Sequence, residues 1–132
     1  ALCVSDIDGD SLSETIVTAG WYESEANVII LSYDQANTYS PDHVQYYSHG
    51  PEAVDVFDID GDGVKDISYI SEYDNTLNPM LHEGAYAFSF NSIGAPNNVS
   101  ELVLCNPDNG SLRNAIVSVS TGHDLYMYTE IP

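Results

Sequence analysis

Four carboxylates and two glycines are packed into Asp58-Ile59-Asp60-Gly61-Asp62-Gly63-Val64-Lys65-Asp66, with acidic side chains at places one, three, five and nine. Two carboxylates about 4 Å apart repel by roughly 4 kcal/mol at the effective dielectric of a protein surface, so such a loop would splay apart on its own. A hard dication reverses the sign. Calcium accepts about 6 to 8 oxygen ligands in flexible geometry, which carboxylates, a backbone carbonyl and water can supply; magnesium keeps its waters and demands near-octahedral order. The spacing therefore predicts a calcium site made by the side chains of Asp58, Asp60, Asp62 and Asp66 with the carbonyl of Val64. Gly61 allows the sharp turn that brings the first and third acids together.

The same pattern stands earlier in the chain as Asp6-Ile7-Asp8-Gly9-Asp10-Ser11-Leu12-Ser13-Glu14. Here Asp6, Asp8, Asp10 and Glu14 would join the carbonyl of Leu12, with Gly9 at the turn and Ser11 in place of the second glycine. An ordinary turn between strands needs one Asp, not four. An EF-hand loop starts in the same way but requires a bidentate Glu at its twelfth place and a helix on either side. That place holds Val17 in one copy and Tyr69 in the other, and each loop runs into β-branched sequence, Thr15-Ile16-Val17-Thr18 and Ile67-Ser68-Tyr69-Ile70. Both motifs read as strand-loop-strand sites. A third, worn copy, Asn106-Pro107-Asp108-Asn109-Gly110-Ser111-Leu112-Arg113-Asn114, keeps Asp108 as its one anion and has no side-chain oxygen at Gly110, so it is expected to bind weakly or stay empty.

Self-similarity with a period of about fifty residues marks a repeat architecture. The spacing divides the chain into unit 1–51 with loop 6–14, unit 52–100 with loop 58–66, and an incomplete unit 101–132 with the degenerate loop 106–114. Each unit predicts a strand before its loop (Ala1 to Val4, Ala53 to Phe57, Leu102 to Cys105) and one after it (Ile16 to Ala19, Ile67 to Ile70, Ala115 to Val119). Third strands are expected at Asn27 to Tyr33, Ala85 to Phe90 and Leu125 to Tyr128. A fourth fits His43 to Tyr47, with a weaker candidate around Asn98. Runs such as Val28-Ile29-Ile30-Leu31 are apolar on both faces, which predicts sheets buried on both sides. The expected fold is all-β, with about three four-stranded, propeller-type blades forming a partial propeller or an open repeat array.

The two acidic motifs, each entering a strand within such a unit, resemble the calcium-bearing blades of the FG-GAP/VCBS repeat family. That family includes integrin α-subunit propellers, some fungal lectins and certain polysaccharide lyases. The resemblance covers nearly the whole chain as three units, and its calcium ligands carry over to Asp6, Asp8, Asp10, Glu14, Asp58, Asp60, Asp62 and Asp66. It implies a calcium-stabilised extracellular module with a structural or adhesive role, recognising glycan or protein. The alternative it offers is a lectin, or a part of a polysaccharide-active enzyme.

Composition narrows the choice. With 21 acidic residues, 2 basic ones and a net charge of −19, the chain cannot neutralise phosphates, which excludes nucleic acid as a partner. Anionic membrane surfaces would repel it, and no stretch predicts insertion. Acidic chains are often disordered, but 43% hydrophobic residues and ten tyrosines predict a packed core. Weak calcium sites need the millimolar supply found outside cells. A chain starting at Ala1 without a charged, apolar leader is expected equally of a processed N-terminus and of a trimmed chain. Cys3 and Cys105 fit a disulfide within the chain, a link between chains, or two small buried hydrophobes, and Asn98 and Asn109 open glycosylation sequons.

No nucleophile signature is legible. For a sugar-cleaving alternative, His43, His49, His82 and His123 are the available bases and Trp21 with Tyr22 the sugar platform; for a lectin, Trp21 and the paired Tyr46-Tyr47 are the candidate stacking surfaces. A lyase for acidic sugars also needs cations near its substrate, and the chain has only Lys65 and Arg113. A non-catalytic role is therefore expected. Closed propellers have roughly four to eight blades. Three units are expected to need copies of the chain, the rest of a longer propeller, or an open stack.

Overall fold

The computed structural model describes residues 1–19, 26–33, 38–47, 51–71, 74–84, 87–90, 92–105, 114–119 and 124–129. These form only strands and their connections, in three antiparallel sheets whose strand order follows chain order. The first sheet comprises β1 (Leu2–Ser5), β2 (Glu14–Ala19), β3 (Ala26–Tyr33) and β4 (Tyr39–Tyr47). The second comprises β5 (Pro51–Phe57), β6 (Asp66–Ser71), β7 (Thr76–His82) and β8 (Phe88–Phe90), with the two-residue β9 (Ile93–Gly94) also on β7. The third comprises β10 (Val99–Cys105), β11 (Asn114–Val119) and β12 (Asp124–Thr129). In the first two sheets the acidic loop is the connection between the first and second strands, β1 to β2 and β5 to β6.

The sheets stack face to face, which is how antiparallel meanders bury apolar side chains. Between the first and second, Ile7, Ile16, Val28 and Ile30 meet Val54, Ile67, Tyr69 and Met80. Between the second and third, Ala53, Ile59, Ile70 and Leu77 meet Val99, Leu102 and Leu104. The second sheet is thus buried on both faces, and every residue of β6 is buried. Side chains alternate across a strand, so Ile67 and Tyr69 serve one core while Ile70 serves the other. In β3, by contrast, burial is one-sided: Val28 and Ile30 are in the core while Ile29 and Leu31 are only half-buried. The two-sided burial expected of that run belongs to the middle sheet.

The sheets approach one another through their early strands. β5 packs against β1, β2 and β3 on one side and against β10 on the other, while among the described residues the backbones of β4, β8, β11 and β12 stay apart from the neighbouring sheets. One side chain spans all three sheets. Asp55 on β5 accepts the amide of Leu104 at 2.7 Å and lies 4.0 Å from the Cys3 thiol. Burial, and then Asp55 itself, push that thiol's pKa up. Both Cys3 and Cys105 are free thiols.

Two expected strands are corrected. The third strand of the second sheet is Thr76–His82, and the run Ala85 to Phe90 contributes instead the short fourth strand Phe88–Phe90. Asn98 lies in the connection before β10. Asn78 and Pro79 disguise β7, because proline donates no ladder hydrogen bond and reads as a break. Among the described residues β9 pairs with Thr76 and Leu77, and β8 pairs with Met80, Leu81 and His82. The Ser92 hydroxyl bonds Asn78 Oδ1 at 2.6 Å.

Leu77 is fully buried between the second and third sheets, and Ile59 reaches the same core from the acidic loop. Truncating a buried Leu or Ile to Ala removes about 2–5 kcal/mol. Leu77→Ala and Ile59→Ala are both expected to fall in that range by chemical denaturation, whereas the same truncation at the exposed Leu125 stays near zero.

Candidate metal centres

Each acidic loop is a tight turn tied together by its own carboxylates. In the loop after β5, Asp58 accepts the amide of Gly61 on Oδ1 at 2.6 Å and that of Gly63 on Oδ2 at 3.2 Å. Asp60 accepts the amide of Asp62 at 3.0 Å, and Asp62 that of Val64 at 2.7 Å. The loop after β1 repeats these bonds place for place. Asp6 takes the amides of Gly9 and Ser11 at 2.8 and 3.1 Å, Asp8 that of Asp10 at 3.1 Å, and Asp10 that of Leu12 at 2.7 Å. Leu12 and Val64, expected to offer their carbonyls, are thus fixed through their amides.

The turn needs left-handed backbone at two places. Gly9 and Gly61 have φ of 80° and 82°, and Ser11 and Gly63 have 73° and 92°. Glycine reaches this region without strain, whereas an L-residue such as Ser11 pays roughly 1–2 kcal/mol. The serine keeps the geometry of the glycine it replaces.

These turns gather the first three acids of each motif. One carboxylate oxygen from each of Asp6, Asp8 and Asp10 lies within 4.8 Å of the other two, and the same holds for Asp58, Asp60 and Asp62. The first acid of each set is half-buried and the other two are exposed. An all-oxygen donor set held this close fits a hard metal ion, and the two triplets can each hold one.

The acids at place nine have a different position. Glu14 and Asp66 are each 1% exposed and stand outside the triplets, beneath the loop at the start of β2 and β6. Glu14 Oε2 accepts the amide of Ile7 at 2.8 Å. Asp66 Oδ2 accepts the equivalent amide of Ile59 at 2.6 Å, and its Oδ1 accepts the amide of His82 at 2.8 Å. Burial raises the pKa of both, opposed by these hydrogen bonds, and the neighbouring acids Asp8 and Asp10 or Asp60 push in the same direction as burial.

His82 was legible only as a potential base. The structure uses its amide, while its ring is buried and stacks on Phe88 with centroids 5.1 Å apart. Lys65 sits 5.8 Å over the ring of Phe57. His43, Tyr46 and Tyr47 lie on β4, and Asn98 is exposed. Trp21, Tyr22, His49, His123, Arg113, Asn109 and the loop 106–113 fall outside the described residues. No protein-family model matches this chain, and no curated protein matches it.

Two outcomes test the role of the place-nine acids, both measured in chelator. Asp66→Asn sets an amide NH₂ against one of two backbone donors and is expected to cost about 1–3 kcal/mol; Glu14→Gln keeps an oxygen for the single amide of Ile7 and stays within about 1 kcal/mol of the parent. The second outcome concerns pH. Because both carboxyls have folded pKa values raised above their unfolded ones, the stability they contribute is full below the unfolded values and is lost as pH rises through the folded ones. Metal-free protein is therefore expected to become more stable on mild acidification from neutrality, with relief of its net negative charge adding to the trend. Glu14→Gln flattens that slope in denaturant titrations.

Proposed function

We propose that this chain is a calcium-stabilised extracellular repeat module, built from propeller-type blades, with a structural or adhesive role rather than a catalytic one. The observation that carries the reading is the identity of the two loops, in which the same five places turn the same five amides onto the same acids. One acidic turn has many uses. Two alike, each holding three carboxylates together against their repulsion, are best explained by a cation that both bind.

Asp6, Asp8 and Asp10 would hold one ion and Asp58, Asp60 and Asp62 the other, with Glu14, Asp66 and the carbonyls of Leu12 and Val64 as the further expected oxygens. A bound calcium would supply positive charge that cancels the repulsion within each triplet. The chain's own part is to fix the loop. Ile7 and Ile59 anchor it in the core, and the buried acid beneath holds their amides. Meanders meeting through their early strands support the propeller-type reading, and an ion requiring millimolar supply supports the extracellular one.

Calcium that binds only the folded chain raises its stability by mass action, up to about 1.4 kcal/mol per site for a Kd of about 10⁻⁴ M in about 1 mM calcium. Melting curves in calcium and in chelator are expected to differ by that amount at each site. Asp60→Ala removes one calcium from a calorimetric titration and Asp8→Ala the other. Identical melting in calcium and chelator would refute the reading.

A further inference from the structure

Strand register makes the first two sheets comparable row by row. In the first, Cys3 lies opposite Ile16 and Ile16 opposite Ile30. Both isoleucines are fully buried in the core shared with the second sheet, and Cys3 packs on that core. The matching row of the second sheet is Asp55, Ser68 and Pro79. The motif fixes the match: Cys3 and Asp55 stand three places before the first Asp of their loops, and Ile16 and Ser68 two places after the acid that closes them. Side chains alternate along a strand, and Ala53, Ile70 and Leu77, each two places away from this row, lie in the core between the second and third sheets. Asp55 agrees, since its Oδ2 accepts the amide of Leu104 on the third sheet at 2.7 Å. The same level of the stack is thus apolar at the first joint and polar at the second.

Ser68 is 0% exposed, and its hydroxyl has no hydrogen-bond partner among the described residues. Buried polar groups in native proteins are nearly always paired, with protein or with ordered water. The residue opposite it on one side, Pro79, has no N–H to give. On the other side stands Asp55, whose carboxylate has about four acceptor sites and takes the amides of Leu104 and Val56, the latter at 2.9 Å. It keeps capacity for another donor. Directly opposite residues of an antiparallel pair have Cβ atoms about 4.5 to 5.5 Å apart, a span that one water bridges between two short side chains. Room for it follows from residue type, because Ser68 and Pro79 carry fewer non-hydrogen atoms than Ile16 and Ile30 do at the first joint.

We infer that one internal water is bound between the second and third sheets, accepting the Ser68 hydroxyl proton in a hydrogen bond and donating to the Asp55 carboxylate. Water is the ligand that suits a buried polar niche with a donor on one wall and an acceptor on the other, whereas an apolar cavity stays dry. A metal ion is not suited, because the niche offers one carboxylate and one hydroxyl where hard cations need about six oxygens or more. The water turns four groups into a relay, from Ser68 through the water and Asp55 to the amide of Leu104. The second joint is therefore held at this level by directional bonds, and the first by the hydrocarbon of Ile16 and Ile30.

This site involves neither acidic loop and stands whether or not those loops hold a metal. A high-resolution crystal structure of the unaltered chain is expected to show one ordered water within hydrogen-bond distance of both Ser68 Oγ and an Asp55 carboxylate oxygen. In solution, oxygen-17 relaxation dispersion counts long-lived internal waters, and Ser68→Ala is expected to lower that count by one. The same variant separates a bridged hydroxyl from an orphan. Removing a hydroxyl satisfied through water lowers the melting temperature, whereas removing one that has no partner raises it. Ser68 Oγ bonded directly to a protein group, an ion or other molecule in the water's place, or side chains filling the niche would each overturn the inference. So would a Ser68→Ala chain that melts above the parent. The crystal structure decides the matter by itself if Ser68→Ala does not fold.

Discussion

An amide donated to a buried carboxylate holds the acidic loops to the rest of the molecule. In each copy the residue after the first Asp is an isoleucine whose side chain is sunk between two sheets and whose N–H is taken by the acid that opens the next strand. Three parts are fixed by this one bond: the start of the loop, the start of the second strand and the packing of adjacent sheets. A buried charge is tolerated only where it is hydrogen-bonded, and here the partner amide also sets the path of the chain into the turn. The exposed acids that follow are therefore presented from a rigid base, and strain at the loop is transmitted directly to the inter-sheet core.

The second loop is held more firmly than the first. Asp66 has two amide partners, Ile59 and His82, and so joins β6 to β7 as well as to the loop, whereas among the described residues Glu14 takes the amide of Ile7 alone. The second loop also has glycine at both left-handed positions, where the first has Ser11 at one of them. Its sheet is the one covered on both sides. Local strain, burial and hydrogen bonding agree in making the middle of the chain the best-determined part of the fold, and Asp55 extends that order outward by touching both neighbours.

What could be read from the residues alone follows from how much each position constrains residue type. Convergence of three acids needs Asp at fixed spacing with glycine at the turn, so Asp6, Asp8 and Asp10 and Asp58, Asp60 and Asp62 were legible, as were the strands that flank them. The place-nine acids were legible as conserving the pattern, but their burial was not, because it depends on a core assembled from residues far away in sequence. β7 was hidden because Pro79, which donates no ladder hydrogen bond, reads as a break although it stands inside the strand. The part played by His82 left no trace, since a backbone amide has no side-chain signature. Asp55, a lone acid in the expected strand Ala53 to Phe57, carries no sequence sign of its place between three sheets.

The match between strand order and chain order has a kinetic meaning. Every sheet is a meander of neighbouring segments, so each closes through short loops, at small entropic cost, before any sheet has to meet another. The long-range steps are then few and sequential, such as the meeting of Leu104 with Asp55 across 49 residues. During synthesis the first sheet is complete while the third is still unmade, and each new sheet finds a finished surface waiting. Folding can run in the direction of translation, with the doubly covered second sheet as the template on which the last one is laid.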